Sequence, residues 1–199
     1  MSKANFVLVI LVPLFVACQV EPMRVSEPTA DEKLSVRGIG VPATDLLLKT
    51  LQRELLSAIG HYGIEGALEV CNQRALFLTD SITLSSERII GIKRTTVKFR
   101  NPQNAPDAAE RLALDYFADR ITKGEALPQD LVQTVTDSAG THFRYYKPLT
   151  VKPLCLNCHG AKGNIDVQVK NTIKQFYPQD LAVDYNVDDF RGVVRVSVK

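Results

Sequence analysis

The run Cys155-Leu156-Asn157-Cys158-His159 constrains this chain more than any other stretch, because the backbone around it must leave room for whatever those side chains hold. Two thiols at Cys-x-x-Cys spacing can each add to one vinyl group of a haem, and the imidazole that follows can take the iron. So read, Cys155 and Cys158 carry one covalent haem c, and His159 is an axial ligand. With only four Cys and three His in 199 residues, chance rarely produces the run. A thioredoxin-like dithiol would open a helix after a strand, whereas this motif follows Tyr145-Tyr146-Lys147-Pro148-Leu149 and Pro153 and runs into Gly160-Ala161-Lys162-Gly163. A structural zinc site asks for a second ligand pair at suitable spacing, and the sequence offers none.

Length and a hydrophobic content of 45% suit one domain with a core that needs no staples. A net charge of +2 gives no electrostatic case for a nucleic-acid partner or for strong attachment to anionic lipid. Lys3 followed by the apolar run Phe6 to Ala17, interrupted at Pro13, reads as an export signal over 1–17, too short to span a bilayer permanently. Its end, Leu14-Phe15-Val16-Ala17-Cys18, resembles the lipobox of bacterial lipoproteins, although Phe15 stands where Leu is usual. Ordinary cleavage after Ala17 is the competing reading, and there Phe15 is too large. The lipobox implies acylation of Cys18 and a membrane contact through the lipid. Gln19 implies sorting to the outer membrane, with the domain facing the periplasm.

Cys18, Cys155 and Cys158 are then assigned, which leaves Cys71 alone in an oxidising compartment. It is either a buried, inert thiol or a metal ligand.

Residues 18–42, polar and broken by Pro22, Pro28, Gly38 and Gly40, read as a flexible tether. Pro42 and Thr44-Asp45 look like a helix start, followed by Leu47, Leu51, Leu55 and Ile59 at helical spacing. Gly60, Gly63 and Gly66 punctuate the chain before a second helix, in which Ile64, Ala67, Leu68, Cys71 and Ala75 share the inward face. Glu69, Asn72 and Arg74 lie off that face and are expected in solvent. Residues 88–99 are β-branched and predict a strand or two, and Pro106 opens a helix that turns Ala109, Leu112, Tyr116 and Phe117 inward. Leu131 to Thr136 and His142 to Tyr146 predict a hairpin around Asp137-Ser138-Ala139-Gly140. Ile165, Val169, Ile173 and Phe176 mark a helix ended by Pro178, and Val193 to Val198 alternate as a last strand. This order predicts an α+β domain over 43–199, built on an antiparallel sheet.

Several stretches together resemble a bacterial c-type haem domain family of formerly unknown function with a PAS-like fold. They are Ala67-Leu68-Glu69-Val70-Cys71-Asn72, the long run from Arg94 to Asp107, Tyr145-Tyr146-Lys147-Pro148-Leu149 with the Cys-x-x-Cys-His motif, and Tyr177-Pro178-Gln179-Asp180 with Phe190-Arg191-Gly192. The resemblance implies a five-stranded antiparallel sheet with flanking helices and an N-terminal helical segment, one haem, and iron ligated by the Cys71 thiolate as well as His159. The chain departs from the family pattern at Ala109, where an aromatic is common.

From the residues alone, His61, His142, Met23 and vacancy compete with Cys71 for the second axial position. His61 sits among glycines, His142 is expected to face out, and Met23 lies in the tether. Arg94, Lys98, Arg100 and Asn101 are candidates to meet haem propionates, or else form a solvated strand face. Tyr145, Tyr146 and Phe143 either pack on the porphyrin or belong to the sheet core.

An anionic sulfur neutralises the positive charge of ferric haem, which stabilises the oxidised state and lowers the potential. On reduction that gain is lost, the sulfur takes a proton more readily, and a neutral thiol is a poor ligand. The expectation is a redox or diatomic-gas sensor rather than an enzyme, in which Cys71 closes the ferric iron and releases the ferrous iron to carbon monoxide or nitric oxide. Its output would pass through a separate redox or signalling protein, and the sheet beside long helices could support a homodimer. The alternative is a low-potential electron-transfer cytochrome.

Overall fold

Val193 and Val194 are both fully buried, so the last strand must be covered on two sides. The computed structural model, which describes residues 23–199, shows how. Five strands, β1 (Arg24–Ser26), β2 (Ile89–Thr95), β3 (Leu131–Asp137), β4 (Gly140–Thr150) and β5 (Phe190–Val198), form one antiparallel sheet in the order β1-β3-β4-β5-β2. Helix α1 (Ala30–Thr83) covers one face, where Val36, Ala43 and Leu47 meet Ile92, Tyr145, Val194, Val196 and Val198. Helix α2 (Ala108–Thr122) covers the other, where Ala113, Leu114 and Phe117 meet Tyr146 and Val193. Neighbouring residues of β4 and β5 thus serve opposite cores, as the pleat requires.

The tether expected over 18–42 is corrected for its described part. Residues 24–26 pair with β3 as an edge strand, Arg24 opposite Thr136. Helix α1 starts well before Pro42, at a capping box in which Glu32 N–H donates to Thr29 Oγ1 and Thr29 N–H donates to the Glu32 carboxylate. Val36, Gly40, Ala43 and Leu47 continue one buried seam down the helix. At Gly40 the Tyr145 ring lies against the backbone, and a Cβ there would stand 2.3 Å from its Cγ. Tyr145 therefore belongs to the sheet core. The expected signal peptide and Cys18 lie outside the described residues.

The expected break in the long helix falls at Gly63, with φ 69° and ψ −177°, a backbone that side chains strongly disfavour. It divides α1 into a limb over the sheet and a second limb, residues 64–83. Ala67 and Leu68 on the second limb are buried, and Cys71 and Ala75 half-buried. Glu69 and Arg74 are exposed as expected, while Asn72 is partly covered.

Leu112 is not turned inward: it is 53% exposed. Ala109 and Ala113 bring α2 close to the sheet, and Leu114 and Phe117 complete its buried face with Glu110, a carboxylate fully removed from solvent. Ala109, where the family pattern favours an aromatic, is fully buried. Among the described residues no helix is long and apolar enough to cross a membrane.

Candidate functional site

After β4 the chain turns through a 3-10 turn, Pro153–Cys155, directly into the short helix α3 (Leu156–His159). Pro153 at the first position needs no N–H partner. The Cys155 N–H donates to the Lys152 carbonyl at 2.8 Å and the Gly160 N–H to the Leu156 carbonyl at 3.0 Å, so Cys155, Cys158 and His159 ride on one tight coil, all half-buried.

The loop after α4 (Val167–Phe176) lies along this coil. Its Asp184 and Tyr185 N–H groups donate to the Gly160 and His159 carbonyls at 2.9 and 3.0 Å. His159 Nδ1 stands 2.7 Å from the Ala182 carbonyl oxygen, which can only accept, so Nδ1 carries the proton and Nε2 keeps its lone pair. Burial, reinforced by Arg100 and Arg191, pushes the imidazole pKa down to about 3 against the opposing Ala182 bond. The ring is neutral, as a metal ligand must be. Tyr185 meets it edge-on at 6.4 Å and is itself flanked by Lys98 at 4.2 Å and Arg191 at 5.1 Å.

Arg100, on the turn after β2, is bonded within the protein. Its Nε and Nη2 donate to Asp180 at 3.2 and 3.3 Å, and Nη2 also donates to the carbonyls of Cys158 at 2.5 Å and Ala182 at 3.4 Å. Lys98 is likewise engaged, donating to the Val183 carbonyl. Asn101 caps the next turn by accepting from the Gln103 N–H.

Arg94, on β2, is half-buried. Among the described residues no carboxylate hydrogen-bonds to it; burial disfavours its charge, while Cys71 and Tyr177 favour it. Cys71, on the second limb of α1, is near enough to contribute to that charge balance. That limb is joined to the motif by one apolar cluster, in which Leu68 packs with Ile165, Val169 and Ile173 and Cys158 borders the group. Burial pushes the Cys71 thiol up, with Arg94 opposing. It also pushes up Cys158, with Arg100 opposing and Cys71 and Cys155 adding to the rise. Cys71, Cys155 and Cys158 are all free thiols.

The sequence candidates thus divide. Cys155, Cys158 and His159 share the coil, Cys71 is near enough to influence both Cys158 and Arg94, and Arg100 holds the backbone of the coil at the Cys158 carbonyl. Tyr145, Tyr146 and Phe143 belong to the sheet cores. His61 is exposed and bonded to the Ser57 carbonyl at 2.7 Å. His142 is half-buried rather than facing out, and it receives the Arg144 Nε–H at 3.2 Å, away from the coil. Met23 precedes the edge strand. Among the described residues no three His, Cys, Asp or Glu side chains are arranged to hold a metal ion. Asp180, Ala182, Tyr185 and Arg191 had no assigned role; a backbone carbonyl acceptor has no side-chain signature, but Asp180 and Arg191 lie in stretches that carry the resemblance.

A family model described as Tll0287-like matches residues 20–199. Among solved structures, that of the cyanobacterial heme-protein Tll0287 matches with a TM-score of 0.59 and 24% identity, covering 86% of this chain and 96% of that one. No curated protein matches. The structural likeness bears out the fold: an α+β domain on a five-stranded antiparallel sheet, consistent with a PAS-like architecture.

Proposed function

The chain belongs to the Tll0287-like family, and from that membership and the geometry around His159 we propose that it is a covalent haem protein serving as a redox or diatomic-gas sensor. The observation that carries the reading is the Nδ1–H bond to Ala182, which presents the Nε2 lone pair of a neutral imidazole beside Cys155 and Cys158. The solved relative's description as a heme-protein supports it. When bound, the haem would supply a one-electron couple and an iron able to take ligands from the protein.

In this reading Cys155 and Cys158 would anchor the group, and His159 and Cys71 would hold its iron. Arg94 has two tasks: it offsets the negative charge of the Cys71 sulfur and offers a cation to a propionate. A Cys71 sulfur that takes up a proton more readily in the reduced state would hold the iron less firmly and would leave room for a diatomic ligand. A sulfur that closes the iron in the resting state argues against an enzyme, which needs that position for substrate. Acylation of Cys18 would hold the domain at the periplasmic face of the outer membrane, with output passing to a separate protein.

The test is an absorption spectrum, visible and near-infrared, of protein matured in a periplasm, ferric and then dithionite-reduced, for the parent and Cys71→Ala. A thiolate-type ferric spectrum lost in the variant, with a ferrous parent that binds carbon monoxide, is the expected result. Identical low-spin spectra that refuse carbon monoxide would leave electron transfer through another ligand as the better account.

A further inference from the structure

We infer that Arg100 is a positioning residue that tunes the His159 imidazole through the carbonyl of Ala182, and that Asp180 sets how strongly it does so. The inference rests on the reading that His159 takes a haem iron, and it concerns residues to which that reading gives no part in setting the potential.

Arg100 Nη2 donates to two carbonyls, Cys158 at 2.5 Å and Ala182 at 3.4 Å. The first belongs to the peptide from which His159 hangs. The second is the acceptor of the His159 Nδ1–H bond at 2.7 Å. One guanidinium therefore touches both ends of the frame that orients the ring. Asp180 holds that guanidinium through both carboxylate oxygens, and its Oδ1 also accepts the Ala182 N–H at 2.9 Å. The same carboxylate thus fixes the strip of backbone that carries the acceptor. Both side chains are nearly buried, 12% and 9% exposed, so water screens the pair poorly.

The electrostatic consequences have definite signs. A carbonyl that accepts from the imidazole raises the basicity of the ring as a ligand. When a cation shares that carbonyl, electron density is drawn away and the effect is limited. The fixed positive charge also favours the reduced state, which carries one positive charge fewer. Both terms raise the potential. Asp180 opposes them, since its negative charge cancels part of the Arg100 field at the ring. The two halves of one ion pair accordingly pull the couple in opposite directions. A clamp that only held the two loops together would behave differently, because breaking it from either side loosens the same contact.

The experiment is spectroelectrochemical titration of the full chain carrying its haem, with the electrode supplying the one electron, for the parent, Arg100→Gln, Asp180→Asn and Arg100→Lys. Arg100→Gln should favour the oxidised form about tenfold, a fall of about 59 mV for a one-electron couple. Asp180→Asn should move the potential upward, and Arg100→Lys, which restores the charge without the fork, should return most of the fall. Visible spectra that keep the parent's axial ligation accompany these shifts. Shifts of the same sign in Arg100→Gln and Asp180→Asn, or none, overturn the inference while leaving the functional reading intact. Should Arg100→Gln fail to mature, Asp180→Asn decides alone: a rise supports the inference, and a fall or no change overturns it. A parent that attaches no haem overturns the functional reading and this inference with it.

Discussion

Glu110→Ala should cost about 3–5 kcal/mol of folding stability, read as a large drop in the urea midpoint. Glu110 is fully buried and receives Lys93 Nζ at 2.8 Å and Arg195 Nε at 3.1 Å, while Oε2 also accepts the Asp107 N–H at 2.9 Å. One carboxylate therefore neutralises cations from β2 and β5 and completes the start of α2. Removing it leaves two largely buried positive charges facing each other, and neither can leave its strand without breaking the ladder between β2 and β5. Lys93 keeps the Ala105 carbonyl and Arg195 keeps Ser197 Oγ and the Gly91 carbonyl, which spares hydrogen bonds but supplies no countercharge. The comparison is Asp119→Ala, which breaks the exposed pair with Lys123 and should leave the midpoint where it is. Equal effects from the two variants would mean that the buried network contributes no more than surface charge.

Leu68→Ala should cost about 2–5 kcal/mol, and the loss should be local. Leu68 is 7% exposed and joins Ile165, Val169 and Ile173 in the cluster that seats the second limb of α1 on α4 and borders Cys158. The break at Gly63 interrupts the helix between this limb and the limb that covers the sheet. Truncating Leu68 opens a cavity that the first limb cannot fill, so residues 64–83 and the segment around Cys158 should exchange their amide hydrogens faster, while β4 and β5 stay protected. Uniform loss of protection across the chain would show that the two limbs unfold as one. The local outcome matters for the proposed function, because looseness of the limb that carries Cys71 would ease release of its sulfur.

Much of this was legible in the sequence because the relevant signals are periodic or local. The 3.6-residue period turned Cys71 to the same side as Leu68, and the Cys-x-x-Cys-His spacing marked the coil. The stretches quoted for the resemblance identify the family, and the sheet and hairpin follow from β-branched runs and a short polar turn. What escaped has physical reasons. The start of α1 was hidden behind Pro42, Gly38 and Gly40, which normally interrupt helices, although Thr29 and Glu32 carried the capping signal. Pro42 is tolerated on an exposed face, and Gly40 is needed because the Tyr145 ring occupies the space of its Cβ. Leu112 pointed the wrong way because the buried face of α2 includes Glu110, whose partners lie on distant strands. The Arg100–Asp180 pair joins residues far apart in the chain, so only the fold shows it.

The most direct test of the central claim is the intact mass of the protein matured in a periplasm, measured after acid-acetone extraction, for the parent and for Cys155→Ala with Cys158→Ala. The account predicts a parent heavier by the mass of one haem, which extraction does not remove, and a double variant that carries none. A parent without the added mass, or a double variant that still retains it, would contradict covalent attachment at this motif.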